Sequence, residues 1–248
     1  MDAVLGVFAV LPGLAVGSFL NVVAARLPVR RSIVRPRSAC GSCGATIAWY
    51  DNIPLLSYVL LRGRCRACAA RIGLVYPAVE LATAGLLAGC LASFGLSLRA
   101  AAAAVFCAAL VVVTATDVRH RIVPNSVVLP AAAVVLALRT AADPQPEWAI
   151  AGAGAFLFMF ATALAYPRGL GMGDVKLALL MGVALGRTVP VALFLGMVAA
   201  LVPAVVLLAR HGTGARKMAI PFAPFLAFGS VVALFAGHEL VAAYMTLL

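Results

Sequence analysis

Acidic side chains are what this chain has least of. Eight Asp and Glu stand against 19 Lys and Arg in 248 residues, a net charge of +11. An excess of that size raises nucleic acid as a partner, but the basic residues lie in short connectors between apolar runs, so none is expected. The chain lacks any repeat of fixed period and any low-complexity linker, which excludes solenoids and long flexible tethers. It also lacks a nucleotide-binding fingerprint. Met1-Asp2 brings no basic stretch, and no small-residue cleavage site precedes Arg26, so the first apolar run reads as a retained helix rather than a signal peptide.

What is present in excess is apolar surface. Hydrophobic residues make up 65% of the chain and the mean hydropathy is +1.10, more than a water-soluble core absorbs. Apolar stretches approaching the ~20 residues of a spanning helix run over 3–25, 76–97, 100–116, 123–138, 148–166, 174–187, 189–209 and 222–247. The expected fold is therefore an all-α polytopic membrane protein with about eight transmembrane helices. Alternate assignment of the connectors puts sixteen of the nineteen basic residues on one side, Arg168, Arg216 and Lys217 among them. Only Arg99, Arg139 and Arg187 fall on the other. The basic side is then cytoplasmic, and both termini lie outside the cytoplasm.

Only the segment over 26–75 is long enough for an extramembrane module, between a first helix over 1–25 and a membrane-embedded remainder over 76–248. Cys40-x2-Cys43 and Cys65-x2-Cys68 within it give two thiolate pairs on tight turns, the donor set of a tetrahedral Zn²⁺ site. Two disulfides are the alternative, and the cytoplasmic placement disfavours them. Four thiolates leave no open position, so such a zinc is structural. Cys90 and Cys107 read as small buried hydrophobes. Trp49-Tyr50 and Asp51-Asn52-Ile53-Pro54 form either a functional surface loop or a turn over the zinc core.

A carboxylate at mid-helix costs about 2.5–3.5 kcal/mol, so each acid needs a reason. Asp2, Asp143 and Glu147 fall near external helix ends, where solvation is reason enough. Glu80 is expected in the first turn of the second span, favoured by the helix dipole, with an arginine as a further partner. Glu239, beside His238, has no account. Asp117 ends the third span and Asp174 opens the sixth after Gly171-Met172-Gly173, both at the cytoplasmic boundary. If their helices neighbour each other, the two carboxylates share one proton and can act as general base and general acid. Gly171 and Gly173 would let a substrate backbone approach, and Pro124 and Asn125 would turn the chain back after Asp117. The alternative is interfacial pairing, Asp117 with Arg119 or Arg121 and Asp174 with Lys176.

Several segments together resemble the type IV prepilin peptidases. These are Gly17-Ser18-Phe19-Leu20-Asn21, the tetracysteine stretch on to Tyr76-Pro77 and Glu80, Gly171-Met172-Gly173-Asp174-Val175-Lys176, and Ile220-Pro221-Phe222-Ala223-Pro224-Phe225. The resemblance implies that Asp117 and Asp174 are the protease dyad and that Cys40, Cys43, Cys65 and Cys68 hold zinc. Gly171, Gly173, Lys176 and Glu80 are then supporting residues. It implies cleavage of a basic leader from prepilins or pseudopilins after a glycine, then methylation of the new N-terminal amine with S-adenosylmethionine, in a bacterial inner membrane. Leader recognition is expected of Asp51 and Glu80, with the excess arginines meeting lipid head groups. Val75, Asn125 and Ala223 depart from residues common in the family. A proton-coupled transporter and a non-enzymatic assembly scaffold are the alternatives.

Overall fold

The computed structural model describes residues 2–166, 169–212 and 220–246, so the basic residues Arg168, Arg216 and Lys217 lie outside it. The chain divides into two compact units, Met1–Leu96 and Ser97–Leu248. Among the described residues there are no strands, only two isolated bridges.

In the first unit, α1 (Asp2–Arg26) packs along α3 (Val75–Phe94). Two glycines one turn apart set the approach: a Cβ on Gly13 would stand 2.7 Å from Ala84 Cα, and one on Gly17 2.7 Å from Glu80 Cα. With no water to expel between helices, close backbone contact through small residues is what holds such a pair together. Buried Asn21 adds a polar tie, donating from Nδ2 to the Tyr76 carbonyl at 3.0 Å. Between the helices lie a 3-10 turn at Trp49–Asn52 and the five-residue α2 (Leu56–Leu60).

The second unit is helical throughout its described residues: α4 (Leu98–His120), α5 (Asn125–Ala142), α6 (Glu147–Ala165), α7 (Met172–Leu185), α8 (Val189–His211) and α9 (Ala223–Met245). The long α4 packs against α5, α7 and α9, while α6 packs on α7 and α8 on α9. The sequence places the end of this helix at residue 116. It runs on to His120, because the Arg121 N–H closes the last turn on the Asp117 carbonyl and Pro124 follows. Asp117 is thereby buried within the helix.

Seven stretches have the length and composition of a membrane span, one of them the 40-residue Met172–His211. That stretch is two antiparallel passes. Thr188 sits against Gly237, Ala192 against Gly229 and Gly196 against Phe225 and Leu226, so α8 climbs back along α9 toward the end where α7 began. Gly186 makes the reversal at φ +59°, a conformation that favours glycine. Divided at this turn, the seven stretches give eight helices, with α7 the short one at 14 residues.

The reversal is fastened by charge. Arg187 pairs with Glu147 at 3.0 Å, and Glu147 also accepts the Arg187 backbone N–H. Arg139 lies over the Trp148 ring at 4.8 Å and donates to the Ala184 carbonyl, placing a cation at the negative end of α7.

Candidate active site

Asp117 and Asp174 come from different helices and are each met by a helix N-terminus. Gly171 is the N-cap of α7, so Asp174 is the third residue of the helix and its carboxylate folds back onto the Gly171 backbone N–H. Asp117 Oδ2 accepts the Ala223 N–H at 3.0 Å, with the Phe222 N–H as a second donor. These amides open α9, and Pro224 after them has no N–H to offer. Backbone donors and the positive ends of two helix dipoles thus converge on the pair. The carboxylates are near enough for the charge of Asp117 to act on Asp174. Nothing in the hydropathy pattern signals the Ala223 contact; only the Pro-Phe-Ala-Pro stretch hints that a helix begins there.

The flanking residues differ in part from expectation. A Cβ on Gly173 would stand 2.7 Å from Val123 Cβ, so this glycine admits the α4–α5 connector rather than a substrate. At Gly171 a Cβ would meet only Asp174 Oδ2 at 3.4 Å and Gly173 N at 3.9 Å, leaving that side open. Lys176 Nζ donates to Asn125 Oδ1 at 3.1 Å, tying the start of α7 to the start of α5. Pro124 and Asn125 do turn the chain back, from Arg121 at φ +54° into α5. Glu239 is exposed on α9.

In the first unit the four cysteines come together. One sulfur from each of Cys40, Cys43, Cys65 and Cys68 lies within 4.8 Å of the others, and all four are free thiols. The two knuckles repeat one geometry. Cys40 N–H bonds the Ala45 carbonyl as Cys65 N–H bonds that of Ala70, and the Gly44 and Ala69 amides close onto Cys40 and Cys65. The φ angles at Gly44 and Ala69 are +73° and +56°. A tetrahedral ion with metal–sulfur bonds of about 2.3 Å needs sulfurs about 3.8 Å apart. Cys40 and Cys68 are 3.8 Å apart, so the donor set fits zinc. The Cys43 and Ser42 amides hold the Cys40 thiol down to about 6. Cys68 is pushed up to about 12: the Ala70 amide favours its thiolate, but the crowding sulfurs, Cys43 foremost and then Cys65 and Cys40, outweigh it.

Asp51 and Glu80, the acids expected to meet a leader, each already have a partner within the first unit. Asp51 is gripped by Arg66 through two hydrogen bonds of 2.6 and 2.8 Å. Glu80, six residues into α3 and 8% exposed, accepts the Leu55 N–H at 2.9 Å and bonds Ser18. No arginine pairs with Glu80 among the described residues.

Comparison with known proteins accounts for both regions. Residues 11–94 match the model of the bacterial peptidase A24 N-terminal domain, and residues 104–205, which contain both aspartates, match that of the type IV leader peptidase family. A prepilin leader peptidase/N-methyltransferase of Bacillus subtilis is 34% identical over 238 residues, covering 94% of this chain and 95% of its own. One from Burkholderia pseudomallei is 37% identical over 267 residues, covering 93% and 85%. One from Myxococcus xanthus is 48% identical over 132 residues, covering 53% of this chain and 39% of its own. No solved structure matches. With two family models matched in succession and relatives aligned end to end, the chain belongs to the type IV leader peptidase family.

Proposed function

We propose that the chain is a multi-pass aspartyl endopeptidase that removes the basic leader of prepilins or pseudopilins, with Asp117 and Asp174 as the catalytic pair. The observation that carries this reading is the approach of two acids from α4 and α7, Asp117 held by amides at the start of α9 and Asp174 by the Gly171 amide, both acids inside the region that matches the leader peptidase model. Two interacting carboxylates share one proton. The ionised member removes a proton from water while the protonated member hydrogen-bonds the scissile carbonyl, and the amides of Phe222 and Ala223 orient Asp117 throughout. Neither a metal nor a covalent intermediate is required.

The same chain is proposed to methylate the amine that cleavage exposes, as the names of its relatives state for them. S-adenosylmethionine, when bound, supplies the methyl group. Zinc held by Cys40, Cys43, Cys65 and Cys68 would complete the first unit as a structural ion, since four thiolates leave it no site for substrate. The bias of basic residues toward one set of connectors supports a bacterial inner membrane with both termini outside the cytoplasm. The transport and scaffold alternatives receive no support from the relatives.

The test is incubation of the purified protein with a prepilin. Shortening of the substrate should be lost in both Asp117→Asn and Asp174→Asn. Unimpaired cleavage by either variant would remove the pair from the mechanism.

A further inference from the structure

The first unit contains a half-open cavity of about 630 Å³. Its volume falls within the ~300–1,000 Å³ of cofactor sites. Ser18 and Asn21 of α1, Tyr50 and Tyr58 of the module, and Tyr76 and Glu80 of α3 contribute to its lining. Glu80 is the unusual member. It is 8% exposed, one of its oxygens takes the Leu55 N–H, and no cation lies within 4.0 Å of it among the described residues. Arg26, Arg66 and Arg71 also line the cavity but none reaches Glu80 within 4.0 Å, and a carboxylate removed from water without such a partner is costly, so the cationic group of a ligand would supply one.

The wall that presents the Leu55 amide is strained. Leu55 has φ +57° and ψ −49°, and the Leu56 N–H closes onto the Pro54 carbonyl at 2.6 Å, a tight three-residue turn rarely adopted by a residue with a side chain. Ser57 holds the turn, accepting the Ile53 N–H at 3.2 Å and donating to the Tyr50 carbonyl at 2.8 Å. A built, strained turn aimed at a buried acid is a device for positioning that acid.

We propose that this cavity binds S-adenosylmethionine, with Glu80 as the counter-charge to the cationic methionyl end of the cofactor. The inference rests on the methyltransferase reading above and names the residues that serve it. The ring of Tyr58 in the lining suits either an onium centre or a purine, because the faces of aromatic rings attract cations and stack on flat heterocycles. Arg66 already lies over Tyr50 at 5.6 Å, so that ring is engaged.

The experiment uses the full-length protein in nanodiscs and reads binding separately from chemistry. Tritiated S-adenosylmethionine is titrated by equilibrium dialysis, then crosslinked by ultraviolet light and the labelled peptides mapped. We expect label in peptides of residues 1–96, and binding weakened about ten- to a hundredfold in Glu80→Gln, which keeps an acceptor for the Leu55 amide but loses the charge. Prepilin cleavage should continue in Glu80→Gln, which also shows that the variant folds. If the variant fails to fold, the label map of the unaltered protein decides. Label confined to residues 97–248, or a folded Glu80→Gln that binds as tightly as the unaltered protein, overturns the site while leaving methyltransfer standing. An unaltered protein that cleaves prepilin but neither binds the cofactor nor methylates overturns the methyltransferase reading and the site with it.

Discussion

Replacing Gly182 of α7 by alanine should impair both stability and cleavage, although the residue touches neither aspartate. The added Cβ would lie 2.7 Å from the Ala151 carbonyl carbon and from Gly152 Cα, closer still to the Ala151 oxygen, and all three belong to the α6 backbone. Carbon atoms settle at about 3.5–4.0 Å, so the two helices must part by roughly 0.8–1.3 Å. Overpacking of this kind costs about 1–3 kcal/mol, a fall of about 2–10 °C in the unfolding midpoint. Asp174 lies eight residues before Gly182 on the same helix, and a shift of about 1 Å in a reacting group costs on the order of 100-fold in rate. Part of the displacement is absorbed along α7, so cleavage should slow by about 10- to 100-fold. The neighbouring glycines calibrate the effect. At Gly152 the obstacle is the Val183 Cγ2 tip, at 2.6 Å, which can turn aside, and at Gly154 nothing stands within 4 Å. Thermal unfolding in detergent and prepilin cleavage should therefore rank the alanine variants Gly182 worst, Gly152 intermediate and Gly154 unchanged or stabilised by up to about 1 kcal/mol. A Gly182→Ala protein with unaltered midpoint and rate would refute the packing argument.

Ala69→Gly should strengthen the second cysteine knuckle by roughly 0.5–1 kcal/mol, since φ is +56° there and the equivalent position of the first knuckle is already Gly44. The chelator concentration needed to release half the zinc should rise, and a fall would contradict the αL assignment. Cys40→Ser should lose zinc first and cleavage only as the unit loosens, read as metal content against rate. Asp51, held below the usual carboxylate range by its hydrogen bonds to Arg66, contributes stability above its unfolded value near pH 4 and loses it as pH falls through the lower folded value. The unaltered protein and Asp51→Asn should thus differ modestly in unfolding midpoint at pH 7 and converge in acid. A difference that grows on acidification would reverse the sign.

The membrane helices were legible because apolar length and the placement of arginine are one-dimensional signals. The tetracysteine cluster was equally plain, since each knuckle is local in the chain. What could not be read from the chain were the pairings between distant segments. Asp117 and Ala223 are 106 residues apart and meet because α4 and α9 pack together. Gly173 looked like room for a substrate and proved to be room for Val123, because close approach of backbones and access for a ligand leave the same mark in a sequence. Glu80 looked like a surface acid in a first turn. The Leu55 amide, 25 residues earlier in the chain, takes it instead of an arginine.

Sorting the acids by what answers their charge separates two kinds. Asp51, Asp143 and Glu147 are each paired with an arginine, at 2.6, 4.0 and 3.0 Å. Glu80, Asp117 and Asp174 have no ion pair within 4.0 Å among the described residues, and backbone amides meet them instead. An arginine neutralises a carboxylate, which suits a fastening. An amide fixes the position of a carboxylate while leaving an oxygen available, which suits chemistry or a cationic ligand, and Arg121 acts on Asp117 only from beyond ion-pair distance. In a chain where each acid near the bilayer is costly, retaining three in that condition implies three groups awaiting something from outside the protein. On the proposed mechanism, for Asp117 and Asp174 that is a water and a peptide bond. By the same physical criterion, Glu80 belongs with them, although it lies in the other unit.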